Sequence, residues 1–262
     1  MSTPFFTIIV PTYNASATIE ACIESVLNQQ FKNFELLIMD GNSTDTTVQI
    51  IKSYFTQFNS IRLVTEKDKG IYDAMNKGIS LSKPSWLYFM GGDDKFYNSN
   101  VLQNVFDQIE RLPEVEIVYG NVWSERFNGI YDGEFNYSKI LIQNISHQAI
   151  FFRKEIFEKT GDFNLKYTAQ ADWDHNLKWI LSDKIEKRYI DIIIAYYADG
   201  GFSSLNGDDV FYHDLTLNYL LYCRESLSFW KKAKIFGYEL LKAIKNGDAK
   251  RIKKSLTFFK YV

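Results

Sequence analysis

The stretch that decides the fold is Phe5-Phe-Thr-Ile-Ile-Val-Pro-Thr-Tyr-Asn14, an apolar run that ends in a polar cluster. Its β-branched and aromatic residues predict a buried strand, which we expect to stop at Pro11. Residues 16–30 carry apolar side chains at helical spacing and predict an amphipathic helix. A buried strand followed directly by a helix is typical of a parallel sheet with helices on its faces.

The same alternation continues to about residue 120. Further strands are predicted over residues 34–39, 61–64, 86–89 and 116–119, and helices over residues 44–58, 72–79 and 99–110. Acidic residues follow two of these strands, as Asp40 and as the pair Asp93-Asp94. Because the carboxyl ends of parallel strands meet at one edge of a sheet, we expect these acids to join Thr12 there and to form a ligand site.

The alternation weakens in the second half of the chain. Residues 123–137 predict a hairpin or loop, residues 149–152 and 189–197 predict strands, and residues 154–159, 172–181 and 208–227 predict helices. The fold class is therefore α/β, with a Rossmann-like and mainly parallel central sheet flanked by helices.

Length and composition limit the remaining possibilities. The chain has 262 residues, of which 46% are apolar and 24% charged, as expected for one globular α/β domain with an appendage. Its longest apolar run has seven residues, whereas a spanning helix needs about 20. The first residues also carry no basic and apolar leader, so we expect a cytoplasmic protein.

The charge is distributed unevenly along the chain. Residues 229–262 contain ten basic and two acidic residues, whereas the rest of the chain has a net charge of −10. Apolar residues recur at helical spacing between these lysines, so we predict a basic amphipathic helical tail. Two hypotheses remain open: the tail binds an anionic membrane surface, or it packs on the domain and exposes its lysines to water.

Several classes of site are absent from the sequence. It has no GxGxxG or GxxxxGK[ST] loop, no GxSxG elbow, and no zinc-ligand spacing among its three histidines. Acids that gather at one sheet edge repel each other unless a cation joins them, which favours Mg²⁺ or Mn²⁺ held together with substrate phosphates. The alternative, that an acid only forms a turn, stays open for Asp40 and is weaker for Asp93-Asp94.

Four segments together resemble family 2 glycosyltransferases, which have the GT-A fold. They are Ile8-Ile-Val-Pro-Thr-Tyr-Asn14, Glu35-Leu-Leu-Ile-Met-Asp-Gly-Asn-Ser-Thr-Asp45, Asp68-Lys-Gly-Ile-Tyr-Asp-Ala-Met-Asn-Lys-Gly78 and Gly91-Gly-Asp-Asp94. The resemblance covers roughly residues 5–200 and is strongest to enzymes that build bacterial O-antigens, capsules and exopolysaccharides. It implies a GT-A domain over 1–228, with a nucleotide-sugar half (1–120) and an acceptor half (121–228), followed by the tail (229–262).

The resemblance also implies a donor site. The positions that it assigns to nucleotide-sugar binding are Pro11, Thr12, Tyr13, Asn14, Asp40, Asp68, Asp73 and Asp93. The first residues of this set would line the nucleobase and ribose pocket, Asp40 would bond the base, and Asp68 and Asp73 would face the ribose or the donor sugar. Asp94 would hold the divalent metal, with Asp93 and His213 as further candidates.

On the acceptor side, Gly161-Asp-Phe-Asn-Leu-Lys-Tyr-Thr-Ala-Gln-Ala-Asp-Trp-Asp174 resembles the family stretch that carries the catalytic base. Asp172 occupies the position of that base, although Ala171 replaces the usual Glu before it. Two alternatives are that Asp172 only caps a helix and that Asp174 is the base. Ser146-His-Gln-Ala149 resembles an acceptor-side motif, and Gly200-Gly-Phe-Ser203 resembles a loop near the diphosphate.

The expected function is inverting transfer of a sugar from a nucleotide-diphosphate sugar, with UDP as the expected nucleotide. The acceptor would be a saccharide or lipid-linked saccharide of bacterial surface polysaccharide synthesis, and no nucleic-acid partner is expected. A lipid-linked acceptor would suit a peripheral position on the inner face of the cell membrane. The alternative is a sugar-nucleotide-binding protein or a nucleotidyltransferase of similar fold, although residues 12–15 lack the cations that nucleotidyltransferases carry.

Overall fold

The computed structural model describes residues 3–83, 85–125, 128–197, 207–223 and 229–245, together with residues 247, 249 and 252. The strands are β1 (Phe6–Thr12), β2 (Phe34–Asp40), β3 (Ile61–Thr65), β4 (Trp86–Phe89), β5 (Lys95–Phe96), β6 (Ile117–Ser124), β7 (Gly129–Tyr131), β8 (Ile150–Arg153) and β9 (Lys187–Tyr197). The helices are α1 (Ile19–Leu27), α2 (Thr47–Ser53), α3 (Ile71–Leu81), α4 (Val101–Glu110), α5 (Lys139–Ile142), α6 (Ile156–Thr160), α7 (Ala171–Ile180), α8 (Asp209–Tyr222) and α9 (Phe229–Lys245).

The described strands form one nine-stranded sheet in the order β3-β2-β1-β4-β8-β6-β9-β5, with β7 paired to β6. Strands β3, β2, β1 and β4 run parallel, which confirms the predicted parallel α/β arrangement for the first half of the chain. The second half is mixed, because β8 lies antiparallel between β4 and β6 while β9 runs parallel to β6. The expected hairpin is the β6–β7 pair.

The register of β1 and β2 sets the position of the ligand edge. Seven residue pairs join the two strands, from Phe6 with Phe34 to Thr12 with Asp40. Strand β4 pairs with β1 only as far as Ile9, so the last residues of β1 have only β2 beside them in the described sheet. This explains why β1 continues through Pro11 to Thr12 instead of stopping there, since proline is tolerated at a strand edge.

Both faces of the sheet are buried, as the continuous apolar strands predict. On one face Ile8, Ile38 and Tyr88 join a core that is covered by α1, α2 and α4. On the other face Ile9 and Leu37 join a core covered by α3 and α7. Successive residues of a strand therefore pack into opposite cores. Because both faces are covered, a ligand can reach the sheet at the carboxyl ends of its strands.

The predicted tail begins as helix α9, which packs against α8 and buries Ala243. Leu241 and Ile244 remain 68% and 55% exposed. The repeat predicted after residue 252 lies outside the described residues. Among the helices that the structure describes, none combines the length and the apolar character needed to cross a bilayer.

Candidate active site

The ends of β1, β2 and β4 meet, as the sequence predicts. Thr12 lies beside Asp40 in the sheet, and the Gly41 N–H donates to the Thr12 carbonyl over 2.8 Å. The loop after β4 approaches so closely that a Cβ added to Gly92 would lie 2.9 Å from Thr12 Oγ1. A glycine is therefore needed for this loop to rest on the end of β1.

A cleft of about 660 Å³ opens at this edge. Six of the predicted donor residues line it: Pro11, Thr12, Tyr13, Asn14, Asp68 and Asp93. Gly41 and Gly70 line it as well, and the Tyr13 side chain is 62% exposed at this edge. The predicted site residues that do not line the cleft are Asp40, Asp73, Asp94, Asp172 and His213.

Asp40 lies behind the cleft wall rather than in it. Its carboxylate is fully buried and accepts the Ser43 N–H at 3.2 Å. Asn14 also binds the loop after β2. Its backbone N–H donates to Ser43 Oγ, and its side-chain Oδ1 accepts the Thr44 N–H, both over 2.8 Å. The two side chains hold the loops after β1 and β2 in one arrangement.

Asp68 and Asp73 share Lys77 as a partner. The Lys77 ammonium lies 2.6 Å from Asp68 Oδ1 and 3.4 Å from Asp73 Oδ2. Burial raises the pKa of Asp68, whereas a hydrogen bond from the Lys69 N–H lowers the pKa of Asp73. Asp73 thus fixes the start of α3, and Asp68 is the member of the pair that faces the cleft.

Asp94 is the most buried acid of the predicted metal pair, with 4% of the residue exposed. Its Oδ2 accepts the Gly91 N–H at 2.7 Å and the Gln148 side-chain amide at 2.9 Å. Burial, with a smaller contribution from the nearby Asp93, raises the pKa of Asp94 to about 6, although the charge of His147 opposes the shift. This carboxylate is therefore fixed in place and in need of a cation.

Asp93 and Asp94 converge on one point. A Cβ added to Gly91 would lie 2.6 Å from Asp93 Oδ1 and 3.1 Å from Asp94 Oδ2. No cluster of three or more histidine, cysteine or acidic side chains suited to a metal exists among the described residues. Since Mg²⁺ is usually held by one or two carboxylates plus substrate phosphates, the pair fits a metal that a diphosphate would help to bind.

The histidine beside this pair is His147, not the predicted His213. His147 Nε2 lies 4.0 Å from Asp94 Oδ2, and its Nδ1 lies 3.7 Å from Asp172 Oδ2. Burial lowers the pKa of His147, but Asp172 and Asp94 raise it by more. In the described contacts, His213 instead meets Asp214 Oδ1 at 3.3 Å. His147 therefore lies between Asp94 and Asp172.

Asp172 is the second residue of α7 and is 7% exposed. The helix cap position is Gln170, so Asp172 is not the N-cap residue. Its Oδ1 accepts the Tyr72 hydroxyl at 2.8 Å, and its Oδ2 accepts the Asn144 amide at 3.0 Å. The alternative base, Asp174, is completely buried and turned towards α8, where Asn218 donates to it.

Sequence reasoning missed four side chains of this site. Gln148 and His147 belong to the Ser146–Ala149 segment that was singled out as a motif, and Tyr72 belongs to another quoted motif. Asn144 belongs to no motif, so no local signal identifies it. The predicted diphosphate loop, residues 200–203, lies outside the described residues.

Comparison with known proteins identifies the family. The model of glycosyl transferase family 2 matches residues 7–176. A PGL/p-HBAD biosynthesis glycosyltransferase of Mycobacterium bovis is 36% identical over 222 residues, which are 83% of this chain and 86% of that protein. Chondroitin synthase of Escherichia coli is 29% identical over 185 residues, or 67% of this chain and 26% of the synthase.

Solved structures share the fold at lower identity. S. aureus TarS 1-349 in complex with UDP-GlcNAc has a TM-score of 0.71 at 18% identity, covering 88% of this chain and 70% of that chain. The mannosyltransferase PcManGT from Pyrobaculum calidifontis, in complex with GDP-Man and Mn²⁺, has a TM-score of 0.62 at 15% identity, covering 100% of this chain and 86% of that chain. With the family match and this GT-A fold, the chain belongs to glycosyl transferase family 2.

Proposed function

We propose that this glycosyltransferase moves a sugar, with inversion, from a nucleotide-diphosphate donor to an acceptor hydroxyl. The observation that carries the proposal is the line from Asp94 through His147 to Asp172. It runs from Asp94, the neighbour of the cleft residue Asp93, to the nearly buried carboxylate of Asp172. Such an arrangement suits a single displacement at the anomeric carbon. The leaving group would depart on the donor side, and the acceptor hydroxyl would attack from the side of Asp172.

In this reaction the acceptor oxygen forms a bond to the anomeric carbon while the bond from that carbon to the diphosphate oxygen breaks. The acceptor proton passes to the Asp172 carboxylate, which acts as general base. A single displacement needs one base and no covalent intermediate. Tyr13, at the edge of the cleft, offers its exposed ring to the nucleobase, and Asp68 offers a carboxylate oxygen to the ribose or donor sugar.

Asp94 would hold Mn²⁺ or Mg²⁺, with Asp93 as the second carboxylate. The bound metal would neutralise charge on the diphosphate leaving group. Gly91 and Gln148 keep Asp94 in place for this role through their hydrogen bonds to Oδ2.

We propose UDP as the nucleotide. TarS was solved with UDP-GlcNAc and PcManGT with GDP-Man, so uridine and guanosine diphosphates are the two nucleotides to compare. For the acceptor we propose a saccharide or lipid-linked saccharide of a surface glycoconjugate. The names of two relatives, one in PGL/p-HBAD biosynthesis and one a chondroitin synthase, support this class.

A thermal-shift experiment tests the donor site. UDP with Mn²⁺ should raise the melting temperature more than UDP alone or GDP with Mn²⁺, because only a bound ligand stabilises the folded state. Equal melting temperatures with and without every nucleotide would contradict the donor site.

The Asp172→Asn variant tests the transfer step. It should bind UDP with Mn²⁺ as tightly as the wild type but lose donor turnover by about 10²-fold or more, since the base is removed and the shape is kept. UDP release from a donor sugar measures turnover, and calorimetry measures UDP binding. Normal turnover would exclude Asp172 as the base, and the alternative of a binding protein or nucleotidyltransferase would then gain support.

We also propose that the tail helix rests on an anionic membrane surface. Leu241 and Ile244 are exposed on α9, and the tail carries the basic excess of the chain. Apolar side chains flanked by lysines favour the headgroup region of such a membrane. The Leu241→Ser/Ile244→Ser variant of the full chain should sediment less with phosphatidylglycerol vesicles. Ile130→Ser, at an exposed position on β7, is the matched control, and equal sedimentation of all three proteins would contradict the proposal.

A further inference from the structure

Asp172 is held by donors from three parts of the fold. The Tyr72 hydroxyl of α3 and the Trp173 N–H both donate to Oδ1, at 2.8 and 2.9 Å. The Asn144 side-chain amide, from the segment between α5 and β8, donates to Oδ2 at 3.0 Å. All three groups donate in these contacts, and an ionised carboxylate can only accept.

We infer that Tyr72 and Asn144 are positioning residues that fix Asp172 so that Oδ2 is the atom that takes the acceptor proton. This inference rests on the proposed transfer reaction. Oδ1 already accepts two hydrogen bonds, whereas Oδ2 accepts one. Oδ2 is also the oxygen that faces His147, and through it the donor side, at 3.7 Å.

The Tyr72 hydroxyl stays protonated and is directed at Asp172. Its hydroxyl lies 2.8 Å from Asp172 Oδ1 and 3.1 Å from the Ala169 carbonyl, and the single proton is best used on the closer, charged acceptor. Burial, together with the neighbouring Asp172, raises the pKa of Tyr72 well above its ordinary value, so the hydroxyl remains a donor. The ring is buried and packs against Phe163.

Asn144 is fixed in turn by a chain of side chains that leads into the core. Its Oδ1 accepts the Asn176 amide at 2.9 Å, and Asn176 Oδ1 accepts the Trp179 indole N–H at 2.9 Å. Because the indole can only donate, the orientation of both amides follows from it. The Asn144 amide N–H is therefore directed at Asp172 before any substrate binds.

These contacts would affect the reaction by fixing the orientation of the Asp172 carboxylate. The acceptor O–H bond breaks as its proton moves to Oδ2, while the oxygen bonds to the anomeric carbon and the diphosphate leaves with its electron pair. Proton transfer and attack need the carboxylate in one orientation, and small displacements of a reacting group are costly. Without the Tyr72 hydroxyl or the Asn144 amide, the Asp172 carboxylate is held less firmly in this orientation, so turnover should fall although donor binding remains.

The test compares Tyr72→Phe and Asn144→Ala with Tyr167→Phe in the full chain. Tyr167 is a matched control, because its buried hydroxyl also donates to a carboxylate, Asp214 Oδ2 at 3.1 Å, on another part of the fold. Wild type is first screened with Mn²⁺ for hydrolysis of UDP-GlcNAc, other UDP-hexoses and GDP-mannose, and its best donor is used throughout. We expect kcat to fall at least tenfold in the first two variants with donor KM within twofold, and both constants to stay within twofold in Tyr167→Phe.

The outcomes separate the inference from the function on which it rests. If Asp172→Asn is inactive while Tyr72→Phe and Asn144→Ala turn over normally, the positioning role is wrong and the base remains. An equal loss of kcat in Tyr167→Phe, or a rise in donor KM that accounts for the loss, would assign the effect to general stability and overturn the inference. A wild type that hydrolyses no donor, or an active Asp172→Asn, would overturn the proposed function itself. If Tyr72→Phe does not fold, the kcat of Asn144→Ala alone tests the positioning role.

Discussion

At Asp94, a carboxylate has been moved out of water and given only an amide and a backbone N–H as hydrogen-bond partners. These contacts orient the group but do not neutralise it, and its raised pKa reflects that imbalance. The residue thus combines a fixed geometry with a charge that is balanced only in part, by His147 at 4.0 Å. A cation that binds together with a diphosphate would balance the remaining negative charge of Asp94.

The first prediction concerns this residue. Asp94→Asn keeps the volume of the side chain but removes its charge, so the tightening of UDP binding by Mn²⁺ should fall at least tenfold. Isothermal titration with UDP, in the presence and absence of Mn²⁺, measures the effect. Asp107→Asn removes an acid from the surface of α4 and should keep the full Mn²⁺ dependence. An Asp94→Asn variant with undiminished Mn²⁺ dependence would rule out the metal role.

A second residue, His175, links stability to pH. It is buried among Phe152, Phe157 and Phe163, and its Nε2 lies 2.8 Å from Thr160 Oγ1. Burial, aided by the charge of Lys178, lowers the pKa of His175 from 6.5 to about 3. The folded state therefore binds this proton less readily than the unfolded state does.

The second prediction follows from that difference. The stabilising contribution is complete above pH 6.5 and is lost as the pH falls towards 3, at about 1.4 kcal/mol per pH unit. Between pH 7 and pH 5 the wild type should lose about 2 kcal/mol more unfolding free energy than His175→Gln does. Urea denaturation at both pH values measures this. Equal losses in the two proteins would show that His175 titrates normally in the folded chain.

Among the elements, β6 and β9 approach each other closely at Gly120. The register between these strands shifts on both sides of Asn121. A Cβ added to Gly120 would lie 2.6 Å from the Ile192 carbonyl oxygen and 2.9 Å from Ile194 Cδ1. Since the closest of these atoms belongs to the backbone of the sheet, it cannot move aside easily.

The third prediction is that Gly120→Ala destabilises the protein by about 1–3 kcal/mol, as overpacking does elsewhere. The midpoint of urea denaturation measures it. Gly237→Ala is the control, because a Cβ at this position in α9 meets no described atom within 4 Å. Alanine is also the better helix former there, so this control should be neutral or stabilise by up to about 1 kcal/mol. A harmless Gly120→Ala would mean that the strands can separate at this point.

The elements of the first half of the chain were predictable because each one carries its own signal. Periodicity identifies β1, β2 and α3, and the polar residues that follow the strands identify the donor edge. The second half of the chain was predictable only in part. Asn144 and His147 reach Asp172 because β8 inserts antiparallel between β4 and β6, and such a pairing leaves no local pattern. Asp172 itself was found through the family motif, whereas its partners follow from tertiary contacts.

On the scale of the whole molecule, charge is separated between an acidic body and a basic tail. The tail carries ten basic and two acidic residues, and the body has a net charge of −10. The acids that gather at the donor edge account for part of this imbalance. An anionic membrane would attract the tail and repel the body, which would orient a bound molecule.

The fourth prediction is that binding to phosphatidylglycerol vesicles weakens several-fold between 50 and 500 mM NaCl, because salt screens the attraction of the tail. Binding to phosphatidylcholine vesicles should be weak at both concentrations. Sedimentation of the full chain with each vesicle measures this. Vesicle binding that is unaffected by salt would assign the interaction to apolar contacts alone.

The seven-pair ladder between β1 and β2 has a consequence for how this chain can be lengthened or shortened. Deleting one residue inside β2 would set a neighbour of Asp40 opposite Thr12 and turn every later side chain to the other face. The linker between α2 and β3 is less constrained at residues 55–57, which are exposed, although the Ser60 carbonyl at its end accepts the Leu36 N–H at 2.8 Å. Engineers who seek to insert a tag or trim a loop should therefore find residues 55–57 tolerant and residues 34–40 intolerant of any change in length.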